Sequence, residues 1–242
     1  DGFTVNTANG ENKSSAPICS WNWRAGNSQG SSNTDGTINT TYTSANTTSG
    51  FSICKWTGTG SAGTIGHGLG AVPKMIIMKK LSSNVGWVVY HHSDGANKYL
   101  RLNTTDAEAT DTNMFNNTTP TSSLFSLGTD SDNNGSGATY IAYCFAEKKG
   151  FSKFGKYRGN GNATDAPFVY TGFKPQFVLW KRADSAGAWI MMDSKRSSTN
   201  VMDDLFEANT SGAEAQSSSY ETDFLSNGFK IRNTNNVFNN SS

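Results

Sequence analysis

The chain has 242 residues, which is enough for one large β domain or for two domains of ordinary size. Charged residues make up only 16% of it, the net charge is +1, and the basic residues are scattered singly or in pairs. We therefore expect no nucleic-acid partner, which would need clustered positive charge. Aromatic residues make up 12%, which argues against disorder, and abundant Ser, Thr, Asn and Gly favour short strands joined by polar loops.

Membrane insertion is not expected from this sequence. The longest apolar runs are about four residues, as at Met75–Met78, whereas a membrane-spanning helix needs roughly 20. No signal-peptide pattern is visible, and the sequence opens within a repeated pattern at Asp1-Gly2-Phe3. We therefore expect the chain to be a window of a longer array of modules.

The cysteines predict neither a disulfide framework nor a metal site. Cys19, Cys54 and Cys144 are odd in number and widely spaced, and no two of them form a Cys-x-x-Cys pair. We expect all three to be small buried side chains.

The first predicted element, residues 1–27, carries segments that recur later in the chain. Pro17–Arg24 resembles Thr139–Ala146 in its mixture of apolar and aromatic residues, at an offset of 122 residues. The same offset relates Phe3 to Phe125. Because a constant offset over two blocks indicates a repeat, we predict that residues 1–27 are the C-terminal strands of a preceding module.

Residues 28–49 follow and consist almost entirely of Ser, Thr, Asn and Gly. Ile38 and Tyr42 are the apolar anchors in this stretch. Two interpretations stay open, a polar linker between modules or an edge hairpin.

A complete β-sandwich module is predicted over residues 50–149. Its apolar and aromatic runs are short, lie at about 8–12-residue spacing and are bounded by Gly, Ser and Asp turns, as in a sandwich or barrel. Pro73 stands at the entry of one run, where a missing N–H costs least. The clearest strand patterns are Met75–Met78, Trp87–Tyr90 and Tyr140–Ala146.

Residues 150–242 are predicted to be a second β-sandwich module whose last strand is missing. Pro175 and Trp189 repeat Pro73 and Trp87, both at an offset of 102 residues. Other matched blocks follow in the same order and drift only at polar loops, but no counterpart of Thr139–Ala146 is present. Matched blocks include Gly50-Phe51-Ser52 with Gly150-Phe151-Ser152, Trp56 with Tyr157, Leu102-Asn103 with Ala208-Asn209, and Phe125 with Phe229.

The fold class predicted from these elements is all-β, with tandem jelly-roll or lectin-like β-sandwich modules, short strands and long polar loops. Phe168–Tyr170 is a further strand pattern in the second module. Val201–Ala208 carries the one helical hint, an apolar spacing of four, but its counterpart in the first module has a strand pattern. We therefore predict a strand or a single turn there.

One short motif resembles the opening of a calcium loop. Asp130, Asp132 and Asn134 stand at alternate positions before Gly135, a spacing at which side-chain oxygens can face one cation. Ile141 occupies the twelfth position, so the bidentate carboxylate of an EF-hand is absent. Two interpretations of the motif stay open, a looser calcium site and an Asx-rich hairpin turn, and we favour the turn. Apart from calcium, we expect no cofactor.

No pattern in the sequence predicts a catalytic centre, and we expect the protein not to be an enzyme. His67, His91 and His92 titrate nearest neutral pH but have no nucleophile-elbow context. A pair of glycosidase-type carboxylates is recognised by geometry and stays open. The six tryptophans are Trp21, Trp23, Trp56, Trp87, Trp180 and Trp189. We expect most of them in the core and one or two of them exposed, where their rings could stack on sugars.

The repeated blocks resemble modules in predicted tail-fibre and virion structural proteins of marine bacteriophages, especially those of abundant ocean bacteria and cyanobacteria. The blocks that carry the resemblance are Gly50–Ser52, Thr57–Gly60, Gly66–Leu69, Val72–Ile77, Tyr140–Glu147, Gly150–Gly155 and Asp223–Lys230. The resemblance covers nearly the whole chain and brings no catalytic residues with it. It implies an extracellular virion-surface protein, a fibre or appendage built from jelly-roll, lectin-like modules.

The function expected from the repeat and the resemblance together is binding of a host cell-surface glycan by a phage tail fibre or appendage. The expected partners are other virion proteins and further copies of the chain, with a trimer as one candidate state. Three alternatives stay open: a purely architectural capsid-decoration or fibre-shaft protein, a polysaccharide depolymerase and a bacterial adhesin.

Overall fold

Alternating apolar residues build antiparallel sheets between Thr40 and Ile231, and the all-β sandwich-type fold expected from the sequence is confirmed. The structure is a computed structural model that describes residues 3–7 and 12–241. Its strands in those residues are β1 Thr40–Asn46, β2 Phe51–Thr57, β3 Gly63–Gly66, β4 Pro73–Lys80, β5 Trp87–His91, β6 Lys98–Arg101, β7 Ala109–Thr110, β8 Leu124–Leu127, β9 Thr139–Ala146, β10 Phe168–Tyr170, β11 Phe177–Lys181, β12 Trp189–Asp193, β13 Asp204–Glu207, β14 Ala215–Gln216, β15 Thr222–Leu225 and β16 Gly228–Ile231. One helical turn, α1, covers Ser131–Asn134, and a 3-10 turn covers Ser218–Tyr220.

The first half of the chain is a sandwich of a large sheet and a two-stranded ribbon. The sheet has the order β1-β2-β9-β4-β5-β6-β7, and the ribbon pairs β3 with β8. Between them lies the first core, in which Trp56 and Phe125 pack edge to face at 5.9 Å. Strand β9 lies between β2 and β4 and pairs with both, and its alternate residues Tyr140, Ala142, Cys144 and Ala146 face the first core.

The second half has its own core between two smaller sheets. One sheet has the order β11-β12-β13-β14 and the other β10-β16-β15. Trp180 is central to this core and packs edge to face on Phe229 at 5.4 Å and on Phe238 at 5.0 Å. The two halves therefore use the same construction, a longer sheet facing a shorter one.

The repeat extends to the pairing of individual residues. Met75 pairs with His91 in β4–β5, and Phe177 pairs with Asp193 in β11–β12, so both partners are shifted by 102 residues. The ribbon β3–β8 likewise has its counterpart in β10–β16. Equal register in paired strands places the same face of each module toward its core.

The second half differs from the first at the position of β9. Within the described residues no strand pairs with the outer edge of β11, although the equivalent edge of β4 pairs with β9. The segment equivalent to β2, residues 151–158, forms no strand and makes one isolated bridge, between Ser152 and Lys148. It still packs on the core, because Tyr157 lies edge to face on Phe229 at 6.2 Å, as Trp56 does on Phe125.

A third apolar cluster joins the two halves. It lies between the outward faces of β4–β5–β6 and β11–β12 and contains Met75, Val89, Leu100 and Trp189. Backbone bonds also cross the joint, since Glu108 donates to the Ala183 carbonyl and Gly187 donates to the Thr105 carbonyl. These two bonds are 2.7 and 2.8 Å long.

The segments before β2 take part in the first sandwich. Strand β1 forms a hairpin with β2, and Ile38 is buried in the first core. Described residues 12–27 form no strand, and Asp1 and Gly2 lie outside the described residues. The assignment of residues 1–27 and 28–49 as separate units stays a prediction.

Candidate functional site

The candidate site is an open groove between the two halves, here called the Tyr170 groove. Its volume is about 210 Å³, which is below the ~300–1,000 Å³ of enclosed small-molecule pockets. Such a groove suits a part of a larger ligand. It is lined by Glu147, Lys149, Gly150, Ser152, Lys153, Tyr170, Thr171 and Gly172.

One wall is formed by the end of β10. In this strand the side chain of Val169 packs on the second core, and the alternation therefore turns Phe168 and Tyr170 outward, where they are 45% and 65% exposed. The next residues turn sharply because the N–H groups of Thr171 and Gly172 both donate to one carbonyl, that of Asn227. Gly172 has φ +84°, a value that favours glycine. The turn holds the Tyr170 ring beside the groove.

The opposite wall is a tight turn after β9. The Ser152 N–H donates to the Lys148 carbonyl at 2.8 Å, and the Lys148 N–H donates to Ser152 Oγ at 3.0 Å. An ion pair joins Lys153 Nζ to Glu147 Oε1 at 2.8 Å. Lys149 is exposed at the tip of the turn. This wall therefore offers a hydroxyl, a carboxylate and two ammonium groups.

The groove combines an aromatic ring with hydrogen-bonding and charged groups. An exposed aromatic ring can stack on the apolar face of a sugar, while carboxylate, hydroxyl and ammonium groups can bond to sugar hydroxyls. Lys149 adds a cation suited to an acidic substituent. No carboxylate pair lies in the lining, which contains Glu147 as its acid.

A larger cavity of about 320 Å³ lies elsewhere in the second half and is less suited to ligand binding. Ser218, Ser219, Asn233 and Asn235 are in its lining, which contains neither an aromatic ring nor a charge. Asn233 is already bonded to the protein through the Glu221 carbonyl at 2.9 Å. The Tyr170 groove is therefore the better candidate.

The predicted calcium motif folds as α1 and not as a hairpin turn. Asp130 caps this turn because its carboxylate accepts the Asp132 N–H at 2.7 Å. Asp132 pairs with Arg101 at 2.8 Å. Asn134 is fully buried and donates to two backbone carbonyls, so each of the three side chains has a protein partner. In residues 3–7 and 12–241 no group of three His, Cys, Asp or Glu could hold a metal ion, and a calcium site at these residues stays a prediction.

None of the three histidines is in the groove lining, although His92 Nε2 lies 3.3 Å from the carbonyl of Phe154, the neighbour of the lining residue Lys153. His67 is fully buried: Nδ1 accepts the Leu69 N–H and Nε2 lies 3.2 Å from the Thr121 carbonyl, and burial lowers the pKa of His67. His91 lies near Asp94, with 3.8 Å between Nδ1 and Oδ2. Burial and the nearby cationic groups lower the pKa of His91 to about 4. Neutral, bonded rings of this kind stabilise the fold.

The tryptophans and cysteines divide between core and surface. Trp56, Trp180 and Trp189 are buried, as expected for most of the set, whereas Trp23 is 49% exposed. Trp21 and Trp87 are half-buried. Cys54 and Cys144 are buried as predicted, but the prediction is wrong for Cys19, which is exposed because its segment forms no strand.

The sequence patterns did not identify Tyr170 or Lys149 as site residues. The pattern of Phe168–Tyr170 predicts only a strand, and Gly150-Phe151-Ser152 is recognisable only as a repeat of Gly50-Phe51-Ser52. A difference between the two copies of this repeat does indicate that the second copy is exposed. Phe51 is followed by an apolar strand, whereas Phe151 stands among lysines, and it is 65% exposed while Phe51 is 5% exposed.

Comparison with known proteins places the chain in a family. No curated protein and no solved structure matches it. In the part that the structure describes, no helix has the length and apolar character needed to cross a membrane. Residues 1–242 match the family described as Domain of unknown function (DUF7483), and the chain belongs to that family.

Proposed function

We propose that this chain is a virion-surface structural protein, part of a phage tail fibre or appendage, that binds a host cell-surface glycan in the Tyr170 groove. The observation that carries the proposal is the exposed Tyr170 ring opposite a wall of Glu147, Ser152 and Lys153. The resemblance of the repeated blocks to marine phage fibre modules supports the virion setting.

The repeat supports binding by many weak sites. A groove of this size contacts few sugar rings, so we expect its single-site affinity to be low. Tandem modules and oligomers raise the effective affinity because the second contact becomes intramolecular. A homo-oligomer, with a trimer as one candidate, is therefore part of the proposal.

Binding to a glycan array, followed by titration with the best oligosaccharide, tests the proposal. Tyr170→Ala should weaken binding about tenfold, because stacking of one ring is worth roughly 1–2 kcal/mol. Phe3→Ala is the matched control, since Phe3 is 68% exposed and is not among the groove-lining residues. Equal loss in both variants, or no binding to any host glycan, would refute the groove as a glycan site.

A purely architectural role is the second candidate, and the joint between the halves favours it. Trp189 Nε1 donates to the Arg101 carbonyl at 2.8 Å beside an apolar cluster, so the two modules share a buried joint of the kind that a shaft needs. Cryo-electron microscopy of the virion would distinguish the two. A position in the shaft, with the groove covered by neighbours, would support the architectural role.

A further inference from the structure

The outward face of the β10–β16 ribbon continues the surface beside the Tyr170 groove. Phe168 and Tyr170 flank Val169, which packs on the second core, so both rings point outward about 6.6 Å apart along the strand. Tyr170 pairs with Gly228 across the ribbon. A methyl group placed on Gly228 would lie 2.9 Å from Phe168 Cζ, so the Phe168 ring lies over the strand partner of Tyr170. Two exposed aromatic side chains, here called the aromatic pair, therefore stand next to each other on one face.

The fold of the module does not require the aromatic pair. The equal registers of β3–β8 and β10–β16 relate Phe168 to Thr64 and Tyr170 to Gly66, at an offset of 104 residues. A methyl group placed on Gly66 would lie 1.7 Å from Asn33 Oδ1, so the first half has no room for a ring at this position. The aromatic pair is therefore an addition in the second half and not a part of the repeated core.

The wall opposite Tyr170 carries a lysine that has no carboxylate partner. Glu147 Oε1 pairs with Lys153 Nζ at 2.8 Å, so the acidic side chain of the groove lining is already neutralised. None of the ion pairs formed within residues 3–7 and 12–241 includes Lys149. Its counterpart in the first half is the uncharged Ser49, at an offset of 100 residues. The unpaired positive charge, like the aromatic pair, is an addition in the second half.

These charges select among glycans. The charged side chains of the lining are two ammonium groups and one carboxylate, which leave a net charge of +1. An ammonium group binds a carboxylate, sulfate or phosphate more strongly than it binds a neutral hydroxyl. Because the groove is open to solvent, we expect this attraction to be moderate and to weaken as salt is added.

The arrangement of the rings favours a chain over a single sugar. The groove has a volume of about 210 Å³ and contains Tyr170 in its lining, whereas Phe168 lies outside that lining. A ligand that fills the groove at Tyr170 and also stacks on Phe168 must therefore span more than one sugar ring.

We propose that the ligand of the Tyr170 groove is an acidic glycan chain, whose anionic group pairs with Lys149 and whose sugar rings stack on Tyr170 and Phe168. The assignment rests on the proposed function, which is glycan binding, and adds the charge class of the ligand and a second stacking position. The anionic group is a carboxylate, a sulfate or a phosphate, since all three offer the charged oxygens that an ammonium group binds.

A glycan array of matched pairs tests the charge class. Alginate, a sulfated galactan and a phosphorylated mannan are each placed beside the same chain after carboxyl reduction, desulfation or dephosphorylation. We expect at least one acidic chain to bind about fivefold more tightly than its neutral form, and the pair that shows this identifies the anion. Equal binding of acidic and neutral forms would overturn the acidic class and leave glycan binding standing. Absence of binding to every glycan would instead refute the proposed function itself.

Lys149→Gln tests whether the charge preference arises in the groove. Calorimetric titration with the tightest acidic oligosaccharide and its neutral form should show the preference for the acidic form lowered about fivefold. Lys195→Gln is the matched control, because Lys195 is exposed on the same half and is not in the groove lining. Added salt should weaken acidic binding in the unaltered chain more than in Lys149→Gln. Equal effects of the two lysine variants would overturn the role of Lys149.

Phe168→Ala tests the second stacking position. It should lower the ratio of tetrasaccharide to monosaccharide affinity about fivefold, because only the longer ligand reaches Phe168. Phe3→Ala, which removes another exposed ring, should leave this ratio unchanged. An unchanged ratio in Phe168→Ala, or an equal fall in both variants, would overturn the second stacking position.

Discussion

At the scale of single residues, a buried asparagine holds the loop between β2 and β3 in the first half. Asn134 Oδ1 accepts the Thr59 N–H at 3.0 Å, and its Nδ2 donates to the Ser61 and Gly128 carbonyls at 2.7 and 2.8 Å. The side chain of Asn134 thereby supplies hydrogen-bond partners to three backbone groups of this loop region. The repeat uses the same device again in the second half.

Asn239 is the counterpart of Asn134 and is also fully buried. Its Oδ1 accepts the Asn160 N–H at 2.7 Å, and its Nδ2 donates to the Asn162 and Asn233 carbonyls at 3.0 and 2.7 Å. Asn239 Oδ1 also accepts the Gly161 N–H at 3.2 Å, so the three kinds of bond that Asn134 makes recur here with one added, and both asparagines are structural parts of the module.

Asn134→Ala should lower the free energy of unfolding by about 2–3 kcal/mol, because it leaves three backbone groups without their partner. Urea unfolding measures the change. Asn12→Ala, which removes one exposed bond, is the control and should change it by less than about 0.5 kcal/mol. If calcium binding at this residue were its main role, the loss would instead appear only when calcium is present.

His91 gives the fold a dependence on pH. In the unfolded chain a histidine takes up a proton near pH 6.5, whereas the folded protein holds the pKa of His91 at about 4. Burial is the main cause of this lowered pKa, followed by repulsion from His92 and Lys156. Lys156 Nζ also forms an ion pair with Asp94 Oδ1 at 3.6 Å. Stability from this group is therefore complete above about pH 6.5 and is lost as the pH falls toward 4.

The free energy of unfolding should therefore fall between pH 7 and pH 4, with His91 contributing on the order of 3 kcal/mol. His91→Asn keeps an acceptor for the Ser93 N–H but cannot titrate, and it should flatten this slope. Urea unfolding at several pH values provides the comparison. An equally steep slope in His91→Asn would assign the dependence to other groups, such as His67.

At the scale of elements, the strands that the sequence predicts are those whose own residue pattern marks a buried face. Trp87–Tyr90 and Tyr140–Ala146 were predicted as strands, and they form β5 and β9. The predicted strand or turn within Val201–Ala208 is β13. These runs have enough apolar or β-branched residues for one face to be buried whatever the neighbours are.

The elements that the sequence did not predict depend on contacts far along the chain. Residues 151–158 correspond to β2 but form no strand, because a strand needs a partner and β9 has no counterpart among the described residues of the second half. The composition of residues 28–49 is compatible with a linker or a hairpin, and in the structure β1 forms within them because it pairs with β2. The exposure of Tyr170 likewise follows from the edge position of β10, which composition does not reveal.

At the scale of the whole molecule, the two cores are joined by the cluster around Trp189. This ring is 4% exposed although it points away from the second core, because it packs on the first half and donates to the Arg101 carbonyl. Its counterpart Trp87 is half-buried and stacks on Tyr143 within the first half. The joint should therefore couple unfolding of the two halves.

Scanning calorimetry tests this coupling. The unaltered chain should unfold in one transition, and Trp189→Ala should separate it into two, because removing a buried tryptophan costs about 3–5 kcal/mol and the loss falls on the joint. Trp87→Ala is the matched control, since it removes the equivalent ring without touching the Arg101 contact, and it should keep one transition at a lower temperature. Two transitions in the unaltered chain would show that the halves are independent, and the modules would then act as a flexible pair rather than as the rigid unit that an architectural role requires.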